Sequence, residues 1–137
     1  MAQLVQRYLD RIVDEPGGPV SQLRAWVDVM FELAHEPRLR VHLTVIDSDE
    51  VRAAKGYRET RERLHAERER SLERILARGR DDGSFAQTDP QRDAIAISAV
   101  VSRELTISAR GNAEDLQRAQ ARVIDFALRA LGARRSS

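Results

Sequence analysis

Between the Asp47-Ser48-Asp49 triplet and Gly79 the chain runs without a proline, largely through residues that lose little on entering a helix. No other stretch limits the available folds as much. The triplet supplies N-cap oxygens and Gly79 a C-cap, so the spacing predicts one long helix from about Glu50 to Arg78. Its middle, YRETRERLHAERERSLERIL, is charged over most of its circumference. Glu59 with Arg63, and Arg63 with Glu67, are spaced for ion pairs worth roughly 0.2–0.5 kcal/mol each, and the surface reads as a solvated face.

The same bias runs through the whole sequence. Aromatic residues are 4% and the common residues are helix formers, which points to an all-α fold. With 137 residues, 42% hydrophobic and 33% charged, the chain suits one helical domain over residues 1–132, with a frayed tail at 133–137. Its formal charge of +1 is the balance of 23 basic and 22 acidic side chains interspersed along the chain. No single-sign field is present to attract a phosphate backbone. The absence of cysteine excludes disulfides and thiolate metal sites. No signal peptide is visible, and the most apolar stretch, Ala94 to Ser102, has about half the roughly 20 residues needed to span a bilayer. We therefore expect a cytoplasmic protein without membrane contact.

About six antiparallel helices are expected. The first, from about Ala2 to Asp14, carries Leu4, Val5, Tyr8, Leu9, Ile12 and Val13 at helical spacing and stops at Pro16-Gly17-Gly18-Pro19. A second runs from about Val20 to His35 on a stripe of Leu23, Val27, Met30 and Ala34, flanked by Trp26 and Phe31; a short third spans about Arg38 to Val45. After the long helix a turn carries Phe85, expected to tuck back onto the bundle. Asp89 then caps a helix from Pro90 to about Ala109, and Asn112 caps a last helix ending at Gly132.

These last two helices are apolar on more than one side. The first places Ala94, Ile97, Val101 and Leu105 on one stripe, with Ile95, Ala99, Val100 and Ile107 outside it; the second has Leu116, Ala119, Val123, Ile124, Phe126, Ala127, Ala130 and Leu131. One core does not require so much, and a homodimer interface would cover the excess. Its expected members are Ile97, Val101, Leu105, Val123, Phe126, Ala127 and Ala130.

The segment SLERILARGRDDGSFAQTDPQRDAIAISAVVSRELTISARG resembles the regulatory domain of TetR-type transcription regulators. The likeness lies in a long helix closing on Arg78-Gly79, a turn with Gly83 and Phe85, and Asp89-Pro90 opening an Ala- and Ile-rich helix. The resemblance implies that the last two helices form a four-helix dimer interface and that the other helices enclose a small apolar or amphipathic effector. Lining residues would be Trp26, Met30, His42, Leu43, Tyr57 and Leu64. The helix-turn-helix of such regulators has no counterpart here, so DNA would be reached only through a module absent from this chain.

Two rivals bear on the same residues. Glu32 with His35, and Glu62 with His65, have the Glu-x-x-His spacing that ferritin-like bundles use for a di-iron centre. At about 100° per residue Glu32 falls opposite the apolar stripe of its helix, however, so no metal or other cofactor is expected. No nucleophile elbow or triad is visible, and no enzyme is expected. A purely structural helical dimer fits the remaining features.

Overall fold

A computed structural model describes Arg7, Arg11, Ile12 and residues 17–34 and 55–133; within 55–64, side chains are described only at Glu62 and Arg63. The described residues form four helices and no strand: α1 (Pro19–Ala34), α2 (Lys55–Asp82), α3 (Pro90–Ser108) and α4 (Ala113–Ala130). Arg7, Arg11 and Ile12 are also helical, within the expected first helix. The expected short helix at 38–45 and the Asp47-Ser48-Asp49 cap lie outside the described residues, so four of about six expected helices are seen.

The helices form a ring, with α2 against α3, α3 against α4, and α1 closing on both α2 and α4. A lighter contact joins α1 and α3 across the middle. α1 buries Leu23, Val27 and Met30 as its stripe predicts, and also Gln22, Trp26, Val29, Phe31 and Leu33. More than half its circumference is thus inside, which suits a helix packed on three others. Leu72, Ile75 and Leu76 of α2, Ala94, Ile97 and Val101 of α3, and Ala119, Val123 and Ala127 of α4 complete the core. The buried Ile12 joins the same core and ties the first helix to the bundle.

Capping sets the starts of α3 and α4. Asp89 accepts a hydrogen bond from the Arg92 amide, with Pro90 in the first helical turn. Asn112 accepts from the Asp115 amide at 2.9 Å, while the Asp115 carboxylate accepts from the Asn112 amide at 3.0 Å. This reciprocal box satisfies two otherwise orphaned donors. Asn112→Ala should lower stability by about 1 kcal/mol. The check is a denaturant titration; an unchanged midpoint would show that the cap is not felt by the folded domain.

The corner between α2 and α3 corrects the sequence reading. α2 does not stop at Gly79 but continues to Asp82, and the left-handed residue that ends it is Gly83, at φ 84°. Gly79 is a buried helical residue whose missing side chain makes room for the Phe85 ring, since a Cβ there would lie 1.9 Å from Phe85 Cδ2. Phe85 tucks back as expected and is fully buried. Its amide donates to the Gly79 carbonyl at 2.9 Å, and Ser84 N–H donates to the Asp82 carboxylate at 2.8 Å. The Ser84 hydrogen bonds hold that carboxyl below the usual range. The corner is also tied to the end of α4: Gln87 N–H donates to the Leu131 carbonyl, and Phe85 pairs with Ala133 in an isolated antiparallel bridge.

Candidate effector site and association face

The residues expected to line an effector pocket divide between what the structure describes and what it does not. Trp26 and Met30 sit on the buried side of α1, at 1% and 3% exposure. Tyr57 and Leu64 fall within α2, but their side chains lie outside the described residues, as do His42 and Leu43 altogether. Two open surface grooves flank Arg24. One, of about 560 Å³, lies between Arg11 and Ile12 on one side and Ala25 and Val29 on the other; the second, of about 540 Å³, runs beside Ile124 and Leu128 of α4. Neither is lined by Trp26 or Met30.

The interior holds three polar atoms shielded from water and without a hydrogen-bond partner among the described residues: Trp26 Nε1, Arg68 Nε and Ser98 Oγ. α1, α2 and α3 contribute one each. Buried polar groups are nearly always satisfied, so each such atom calls for an explanation. Arg68 is half-buried and lies four residues before Leu72, one turn from the stripe of α2 that is buried at Leu72, Ile75, Leu76 and Gly79. Burial lowers the pKa of its guanidinium from the ordinary value. Sequence reasoning placed Arg68 on a solvated face. The available signal was its spacing from Leu72, hidden in a run where nearly every residue is charged.

The expected association residues fall into two groups. Ile97, Val101, Val123 and Ala127 are between 0% and 3% exposed within this chain's own core. Leu105 is half-buried and packs against that core, while Phe126 and Ala130 are exposed. The large hydrophobic side chains exposed among the described residues are Ile95, Ile107 and Phe126, at 50%, 59% and 41%, and all three lie on α3 or α4. Small side chains continue the outer surface, Ala96 and Ala99 on α3 and Ala130 on α4. Arg122 of α4 donates to Glu104 of α3 at 2.9 Å, which pins the two helices beside this surface. Such a partly exposed pair contributes about 1 kcal/mol at most, so it fixes geometry more than stability.

Glu32 and Glu62 are exposed, and His65 is partly so, while His35 lies outside the described residues. Among the described residues no three His, Cys, Asp or Glu side chains gather closely enough to hold a metal ion. No helix among them is long and apolar enough to cross a membrane. No protein-family model, curated protein or solved structure matches the chain.

Proposed function

We propose that this chain is the effector-sensing and homodimerising domain of a TetR-like cytoplasmic transcription regulator, any contact with DNA being made by a helix-turn-helix outside these residues. The observation that carries the reading is the location of the exposed apolar side chains. Ile95, Ile107 and Phe126 all project from the two helices that the family resemblance assigns to dimerisation. Isolated exposed apolar residues are ordinary on any surface, whereas three on two adjoining helices, with alanines between, suit a helical partner face. In this reading Ile97, Val101, Val123 and Ala127 support the interface from beneath, while Ile95, Ala99, Ile107, Phe126 and Ala130 meet the second copy.

The polar atoms shielded from water and unpartnered among the described residues, one each on α1, α2 and α3, are the observation that supports an effector site among these helices. A route outward is also present. Ile12 is buried in the core and shares a groove with Ala25 and Val29 of α1, so a ligand that shifts α1 or α2 would re-aim the first helix and whatever module precedes it.

Association links folding to concentration, because a dimer is stabilised by its own partner. The thermal midpoint should therefore rise steadily as the chain is concentrated over about a hundredfold range. A midpoint independent of concentration would contradict the dimer.

A further inference from the structure

We infer that the outward face of α2 binds an acidic helical segment of a partner protein, through a line of unpaired arginines. Such binding is separate from sensing and dimerisation and depends on neither.

At about 100° per residue, Arg63, Arg70, Arg74 and Arg78 fall within about 80° of one another on α2. All four are exposed, and they lie opposite the stripe buried at Leu72, Ile75, Leu76 and Gly79. Arg70, Arg74 and Arg78 follow one another at single turns, about 6 Å apart, and the whole line is about 22 Å long. The expected pair between Arg63 and Glu67 does not form. Among the described residues, Arg80, Arg92, Arg118, Arg122 and Arg129 each stand within 4.0 Å of a carboxylate, whereas none of these four does.

Solvation alone does not account for the arrangement. Like charges one turn apart repel about as strongly as opposite ones attract, so Arg70, Arg74 and Arg78 weaken the helix they stand on. The helix dipole favours a cation only in the last turn, where Arg80 already stands.

Charge also decides the kind of partner. Glu62, Glu69 and Glu73 each precede one of these arginines by one residue and form a second, acidic line about 100° around the helix from the first. A nucleic acid, with one charge per about 1.7 Å of duplex, would set phosphates against that line and against Glu67. A membrane surface would need apolar side chains, and the arc from Arg63 to Arg78 carries Glu67 besides the arginines and nothing apolar. A helix with glutamate at every fourth position presents carboxylates at the same interval of about 6 Å, and the planar fork of arginine suits each of them. Basic residues on its flank would meet the acidic line of α2.

The experiment uses the full chain and a fluorescently labelled, alanine-based helical peptide with glutamate at every fourth position, read by anisotropy. The glutamine version of the peptide and a short labelled DNA duplex are the comparisons. At low salt the glutamate peptide should bind about tenfold or more tighter than its glutamine version, and that advantage should fade as ionic strength approaches about 1 M. Arg70→Gln combined with Arg74→Gln keeps good helix formers on an exposed face; it should weaken the glutamate peptide about tenfold or more with the helical spectrum unchanged. Arg24→Gln combined with Arg110→Gln removes the same charge from exposed sites off α2, and should change the affinity by less than about twofold. Equal binding of the two peptides, equal losses in the two double variants, or tighter binding of the duplex than of the glutamate peptide would overturn the assignment. The last result would give the face to phosphate instead.

Discussion

Gly79→Ala should destabilise the domain by about 2–3 kcal/mol, the upper part of the range for forcing extra volume into a packed core. The sign is what makes the result informative. In an ordinary helix interior, glycine to alanine stabilises by about 0.5–1 kcal/mol through backbone entropy. Here the new Cβ would meet the Phe85 ring at 1.9 Å, and that ring is fully buried and so has little room to withdraw. Its backbone is held at both ends as well, through the Phe85 amide to the Gly79 carbonyl and the Gln87 amide to the Leu131 carbonyl. Phe85→Ala alone should cost about 3–5 kcal/mol for the lost ring and the cavity left behind. The double variant should cost no more than Phe85→Ala, because the added methyl then occupies vacated space. Chemical denaturation of the three variants closes this cycle. Additive costs would show that the two residues do not share the site.

A pair of glutamate substitutions on α4 should separate folding from association. Val123 is 1% exposed, between the buried Ala119 and Ala127 on the same stripe. A glutamate there would stand on a stripe of buried apolar side chains, and the penalty of an uncompensated buried charge, about 3–5 kcal/mol, is of the order of a small domain's entire stability. Val123→Glu should therefore give no cooperative thermal transition. Phe126, three residues on, is 41% exposed, and a glutamate there remains in water in the single chain. Phe126→Glu should keep the helical spectrum and yield folded monomers, because in a dimer the same charge would be carried into an apolar interface. A Phe126→Glu protein that remains dimeric would move the interface away from α4.

The helices were legible where capping and turn chemistry is local. Asp89-Pro90 and Asn112 mark the starts of α3 and α4 because the bonds they make are to amides three residues on. Phe85 was legible as a residue that tucks back, being an isolated apolar side chain in a polar turn. Gly79 was misread because two different needs select glycine, a left-handed helix end and a close approach, and the sequence carries the residue without its reason. The chain uses Gly83 for the first and Gly79 for the second.

Of the residues expected at an association face, Ile97, Val101, Val123 and Ala127 are buried in this chain's own core, whereas Phe126 and Ala130 are exposed. A stripe such as Ile97 with Val101, or Val123 with Ala127, is equally suited to an internal core and to a partner, and only the packing of α2 and α1 decides which. In the interior, Trp26 and Met30 were legible from their apolar spacing. Arg68, half-buried with its Nε shielded from water, was not, because among arginines and glutamates it differs from its neighbours in angle alone.

The most direct test of the account is the mass of the intact purified chain in solution, by native mass spectrometry with sedimentation at matching concentrations. Two copies per particle, reverting to one in Phe126→Glu, is the predicted result; a single folded copy at every concentration would contradict the dimer on which the regulator reading depends.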